Sequence, residues 1–145
     1  MDLILWRHAD AEDGSPDLAR KLTKKGHKQA ARVAQWLLER LPKDFELIAS
    51  PAVRAQETAE ALGARIRTVE RLAPGASVEA IVKAAGWPAA GGTVIVVGHQ
   101  PDLGRALAYL VSGQASEWRL PKAGAWWLES GHPTLVKAVV SADLL

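Results

Sequence analysis

The sequence predicts a three-layer α/β domain, with a mostly parallel central sheet flanked by helices and antiparallel C-terminal strands at one edge. Three observations predict it. Short apolar runs alternate with helical stretches over most of the chain, the pattern of successive βαβ units. The runs at 3–6 and 93–97 are almost continuously apolar, as expected of strands buried on both faces. Beyond about residue 120 the alternation gives way to two strand-like runs separated by a turn, which reads as a hairpin.

Each element has its own local signal. Leu3-Ile4-Leu5-Trp6 is the first strand, and the Asp-, Gly-, Ser- and Pro-containing stretch over 9–22 is a loop. A helix over 23–41 starts with Thr23 as N-cap and repeats Ala30, Val33, Ala34 and Leu37 at helical spacing. Residues 45–49 form the second strand. Ser50-Pro51 then predicts a helix with Ser at the N-cap and Pro at the first helical position, ending near Gly63. Residues 65–69 are a third, weaker strand, and 77–85 a short helix capped by Ser77. Gly91-Gly92 leads into the strand over 93–97, and Gly98-His99-Gln100-Pro101-Asp102 opens a helix to about Val111. The hairpin pairs 124–129 with 135–140 across Ser130-Gly131-His132-Pro133.

The chain of 145 residues suits one domain, 1–145, large enough to bury roughly two-thirds of its unfolded surface without staples. Hydrophobic residues at 48% and charged residues at 23% fit a soluble globular protein. Cysteine is absent, which excludes disulfides, thiolate metal sites and a thiol nucleophile. The formal net charge is only +2, although the isoelectric point is about 9.1, so the composition argues against a nucleic-acid partner. No apolar stretch is long enough to span a membrane, and the start has no leader pattern; the expectation is a cytoplasmic protein without a membrane partner. Arg20, Lys21, Lys24, Lys25 and Lys28 cluster, either as a solvated helix face or as a docking patch for an acidic partner. The six Trp read as packing residues. Trp126-Trp127 straddles the two faces of a strand, which would leave one of them exposed.

Three places are built alike: a buried strand ends, polar or basic residues follow at once, and a helix begins. They are Arg7-His8, the segment from Ser50 to Arg54, and Gly98-His99. In a parallel α/β sheet the carboxyl ends of the strands share one edge, and ligands bind there. Arg7, His8, Arg54 and His99 should therefore converge. Two guanidiniums offer planar forks of donors to a phosphate, and helix starts near Ser50 and Gln100 add backbone N–H groups. Two histidines can attack, move protons or hold developing charge.

These residues carry a resemblance. Leu5-Trp6-Arg7-His8-Ala9-Asp10 is similar to the Arg-His-Gly strand end of the histidine phosphatase (phosphoglycerate-mutase-like) superfamily, with Ala9 in place of Gly. Leu22-Thr23-Lys24-Lys25-Gly26-His27-Lys28-Gln29-Ala30 resembles the family's Leu-Thr-x-x-Gly-x-x-Gln-Ala helix start. The segment from Ser50 to Ala59 resembles Ser-x-x-x-Arg-Ala-x-x-Thr-Ala, and Val96-Val97-Gly98-His99 the strand bearing the second histidine. Within the superfamily, the short chain, Arg20-Lys21-Leu22-Thr23 and His99-Gln100-Pro101-Asp102-Leu103 resemble the SixA-type phosphohistidine phosphatases.

The resemblance implies a metal-independent phosphatase without cofactor. His8 is the nucleophile and is phosphorylated, and water hydrolyses the intermediate. Arg7, Arg54 and His99 hold the phosphoryl oxygens; Arg20 and Ser50 are further substrate-binding candidates. The implied partner is a protein carrying phosphohistidine or a small phosphomonoester. Sugar-phosphate members place an acidic general acid near a Leu-x-Glu-x-x-x-Gly pattern, whereas here Arg71-Leu72-Ala73-Pro74-Gly75-Ala76 has no carboxylate there. Glu70, Asp10 and Glu12 remain candidates for that role. Two rival readings follow from the same residues. His8-Ala9-Asp10 with His99 and Asp102 could bind a metal, although arginines repel a dication. A non-catalytic module could capture a phosphorylated side chain.

Overall fold

The computed structural model describes residues 1–145. Six strands form one sheet: β1 (Asp2–Arg7), β2 (Glu46–Ala49), β3 (Ile66–Thr68), β4 (Thr93–Gly98), β5 (Ala125–Glu129) and β6 (Leu135–Val140). Their order is β3-β2-β4-β1-β5-β6. β3, β2, β4 and β1 are mutually parallel, while β5 and β6 run antiparallel at the β1 edge. The helices are α1 (Lys24–Leu38), α2 (Val53–Glu60), α3 (Val78–Ala85) and α4 (Asp102–Ser112).

Side-chain parity along the strands produces the three layers, because successive residues point to opposite faces. Ile4 and Trp6 of β1, Leu47 and Ala49 of β2, and Ile95 and Val97 of β4 pack with Ala30, Val33, Ala34 and Leu37 of α1 and Ala55 and Ala59 of α2. The intervening Leu3 and Leu5, Ile48, and Val94 and Val96 pack with Ile81 of α3 and Leu103, Ala106 and Leu107 of α4. Both faces of β1 and β4 are thus dry, which is why their sequences are apolar without alternation. Thr23 and Ser77 cap α1 and α3, accepting from Gly26 N–H and Ala80 N–H. No helix is long and apolar enough to cross a membrane.

The structure corrects three local readings. Ser50 is not an N-cap and Pro51 is not a first helical residue, since α2 starts at Val53 with Ala52 at its cap. The Ser50 hydroxyl is drawn instead into a tertiary contact with His99. The helix after β4 starts at Asp102, the last residue of the Gly98-to-Asp102 run, with Pro101 at its cap. Three-residue 3-10 helices at Asp17–Ala19, Glu70–Leu72 and Ala142–Leu144 lie outside the elements read from the sequence, because three residues are too few to show a period. Neither Trp126 nor Trp127 is exposed: Trp127 is buried on the α1 face, and Trp126 is partly buried against Trp118, 5.6 Å between ring centroids.

Candidate active site

The strand order sets β2, β4 and β1 side by side, so their carboxyl ends deliver Ser50, His99 and Arg7-His8 to one edge. Backbone bonds continue the pairing past the strands: His8 N–H donates to the Gly98 carbonyl and Ser50 N–H to the Val97 carbonyl, both at 3.0 Å. The His8 and His99 rings stand 5.3 Å apart, inclined by 54°. Arg54 lies in the first turn of α2. His8, His99, Arg54 and Ser50 are all buried.

His8 has a determined tautomer. Its Nδ1 lies 2.8 Å from the Ala9 carbonyl, and a carbonyl only accepts, so Nδ1 carries the proton and Nε2 keeps its lone pair. Burial, chiefly, lowers the His8 pKa to about 4; the positive charges of Arg54, Arg7 and Arg20 push the same way against the Ala9 bond. The residues after His8 are pinned from two sides. Ala9 N–H donates to Thr58 Oγ1 at 3.0 Å and Asp10 N–H to Gln29 Oε1 at 2.9 Å. Thr58 Oγ1 in turn donates to the Arg54 carbonyl at 2.7 Å, coupling the two site segments. Gly26 lets α1 approach this loop, since a Cβ there would sit 2.0 Å from the Asp10 carbonyl oxygen.

His99 Nε2 lies 2.7 Å from Ser50 Oγ, which also accepts from Ala52 N–H at 3.1 Å. With the Ser50 hydroxyl donating to Nε2, the His99 proton stands on Nδ1, the arrangement that can serve an anionic ligand. That Nδ1, like the Nε atoms of Arg7 and Arg54, is buried without a protein partner. An unsatisfied buried donor costs about 1–3 kcal/mol, so three on neighbouring residues call for an acceptor-rich ligand. A phosphoryl group, with three equatorial oxygens, suits them. Burial first, and the neighbouring positive charges, hold the His99 pKa at about 3.

The arginine forks are not free as the sequence reading supposes. Arg54 Nη1 donates to the Asp17 carbonyl at 2.8 Å, and its Nη2 pairs with Asp17 Oδ2 at 3.1 Å. Arg20 Nη1 holds the other oxygen, Asp17 Oδ1, at 3.0 Å, and Arg20 Nε donates to the Glu12 carbonyl at 2.7 Å. Asp17 therefore bridges both arginines at the rim, with Arg54 deep and Asp17 exposed. Arg20 is tied to Arg54 through Asp17, and its charge acts on His8. Arg7 Nη1 donates to the Leu120 carbonyl at 2.8 Å. Thr58 and Gln29 are fixed positions of the two motifs quoted above but were given no role from sequence, and nothing in the sequence pattern singled out Asp17.

Two carboxylates near the site, Asp10 and Asp17, are held in their ionised form by cations. Asp10 is bound by Lys122 at 2.6 Å and by the Thr23 hydroxyl at 2.7 Å, which hold its pKa below the usual range. Arg20, first, and Arg54 do the same for Asp17. The 71–76 loop is tied down by Asp102, buried in α4, whose Oδ2 accepts from Gly75 and Ala76 N–H at 2.9 and 3.1 Å. Glu70 opens the 3-10 helix before that loop. No group of three or more His, Cys, Asp or Glu side chains stands together in a way that could hold a metal ion. The largest cavity, about 560 Å³ beside Val82 and Tyr109, lies away from the histidines.

A pH prediction follows from His8. Attack needs its neutral form, which persists until pH falls to about 4. The acid limb of kcat/KM, corrected for substrate ionisation, should fall near pH 4 and not near 6.5. Fold stability should decline earlier. Both histidines have lowered native pKa values, so the unfolded chain binds more protons below about pH 6.5 and stability drops as pH falls from there. An acid limb at 6–7 would mean that His8 is not the titrating nucleophile.

Comparison with known proteins shows the family and the fold. Residues 3–74 match the family model described as histidine phosphatase superfamily (branch 1). An uncharacterised protein of Picosynechococcus sp. (strain ATCC 27264 / PCC 7002 / PR-6) is 38% identical over 143 residues, covering 90% of this chain and 86% of the relative. The solved structure of the protein histidine phosphatase SixA complexed with tungstate superposes with a TM-score of 0.86 at 22% identity, over 99% of both chains. The alpha-ribazole phosphatase from Shigella flexneri superposes with a TM-score of 0.78 at 17% identity, over 98% of this chain and 97% of that one. At such identities the likeness is one of fold.

Proposed function

The chain belongs to the histidine phosphatase superfamily, and from that premise we propose a metal-independent phosphatase whose one domain, 1–145, acts on phosphohistidine in a protein. The observation that carries the chemistry is His8: neutral, its proton held on Nδ1 by Ala9, its Nε2 lone pair free beside two arginines and a second histidine. Nε2 attacks phosphorus, an N–P bond forms, and the bond to the leaving group breaks. Water then attacks the phosphorylated His8, forming a P–O bond and releasing the imidazole of His8 and inorganic phosphate. Arg7, Arg54 and the Nδ1–H of His99 hold the equatorial oxygens and offset their charge, the main demand of phosphoryl transfer. Ser50 sets the His99 tautomer.

The substrate class rests on the proton that is not supplied. Asp10 and Asp17 are held ionised, and the 71–76 loop carries no carboxylate. An alkoxide leaving group needs an acid, worth about 10²- to 10⁴-fold. A phosphoimidazole already protonated on its other ring nitrogen leaves as neutral imidazole and needs none. Between Arg54 and His99 the chain holds only the rest of α2, β3, a 3-10 helix, α3 and β4, so no capping subdomain encloses the site. The discriminating experiment is a series of kcat/KM values against leaving-group pKa. The expected series is steep, with phosphohistidine and acidic phenyl phosphates fast and sugar phosphates very slow. A flat series, or a sugar phosphate among the best substrates, would replace this reading with that of a small-molecule phosphomonoesterase.

A further inference from the structure

We infer that the phosphorylated side chain arrives flanked by acidic residues of its own protein, which lie in a basic groove running from Arg7 along α1; this rests on the phosphoprotein reading above. The groove begins at the candidate site, because Arg7 lines it. A cavity of about 340 Å³ is bounded by Arg7, Arg119 and Lys122, with Gln29 and Asp143 opposite. It continues into a second cavity, of about 190 Å³, which shares Gln29 and Asp143 and adds Lys25, Lys28 and Arg32.

Six cations therefore line one continuous trough that contains a single carboxylate, Asp143, on a chain whose formal net charge is +2. Lys122 is paired with Asp10 at 2.6 Å, but the other five have no carboxylate partner. Outside the groove, Arg67 is paired with Glu46 and Arg105 with Glu117, while Arg65 and Arg71 stand singly. Arg119 is close enough to Arg7 to add to the effect of burial in lowering its pKa, so the like charges are held together without an internal counter-ion. The spacing of Lys25, Lys28 and Arg32 puts them on one face of α1, over about 10 Å. That length, added to the reach from Arg7, suits several successive acidic side chains better than a second phosphate on a small ester. Such fields raise association rates about 10- to 10³-fold and weaken with salt.

The test uses two synthetic phosphohistidine peptides of equal length, one flanked by Asp and Glu and the other by Ser and Gly. At low salt the acidic peptide should show at least a tenfold higher kcat/KM. The advantage should shrink in 0.5 M salt, by the same screening. It should also shrink in the triple variant Lys25→Gln/Lys28→Gln/Arg32→Gln, while turnover of p-nitrophenyl phosphate is unchanged. These three residues are exposed and outside the core, so the variant should fold. Equal hydrolysis of the two peptides would overturn the docking proposal and leave the phosphohistidine reading standing. Hydrolysis of neither, with p-nitrophenyl phosphate still turned over, would overturn both. Equal hydrolysis together with vesicle binding (anionic phospholipid) that the triple variant loses would make the groove a membrane contact instead.

Discussion

His8→Ala will lose turnover by roughly 10⁴- to 10⁶-fold, the scale seen when an essential nucleophile is removed. The reason is that no other group in the site combines a free lone pair with neutrality and a fixed orientation. His99 is also neutral, but its Nε2 is occupied by Ser50, and in the proposed mechanism its Nδ1 serves as a donor to the phosphoryl oxygens. Two further measurements separate lost chemistry from lost structure. Inorganic phosphate should still bind the variant, because Arg7, Arg54 and His99 are untouched. The parent enzyme, quenched without acid during turnover of labelled substrate, should carry phosphate on His8 that is labile to acid and stable to base. Near-normal activity in His8→Ala would end the mechanism, and so would a label on another residue.

Arg54→Ala should cost about 3–4 kcal/mol in kcat/KM, by analogy with removal of one oxyanion donor, which is roughly a 10²- to 10³-fold loss. The side chain is 6% exposed, so solvent does little to screen its charge. Its two terminal nitrogens hold Asp17 while Nε stays uncommitted. A lysine has one nitrogen and cannot serve Asp17 and a phosphoryl oxygen with the same geometry, so Arg54→Lys should restore only part of the loss. Kinetics of the two variants side by side check this. Full rescue by lysine would show that charge alone matters at this position.

The parts of this site that could be read in the chain are those where a local rule and the tertiary structure agree. β1 and β4 are dry on both faces, so their apolar runs are unmistakable, and the polar residues that end them stand out. Arg7, His8 and His99 are legible for that reason. Ser50 is the opposite case. Ser-Pro is a strong helix-start signal, yet the hydroxyl does more for the fold by ordering His99, 49 residues away, than by capping α2. Asp17 sits in a stretch without periodicity, and its partner Arg54 is 37 residues distant, so nothing near it in sequence marks it. Gln29 and Glu57 bond backbone N–H groups of Asp10 and Leu22, contacts that also depend on how α1 and α2 are laid against the loop.

The place of β4 between β2 and β1 has a consequence for how the chain matures. β1 pairs only with β4 and β5, so the first residue of β1, Asp2, meets partners at Thr93 and Glu129. β1 is therefore made well before either strand that pairs with it. It must wait as an unpaired apolar segment while about ninety residues are synthesised, at about 5–20 residues per second. β2 and β3 can join each other in the meantime, but neither can recruit β1 until residues 93–98 slide between them. Closure over such a long loop is slow and leaves a sticky edge open, which makes this interval the step most exposed to aggregation. Appearance of phosphatase activity on a ribosome-bound chain would time the insertion of that single strand.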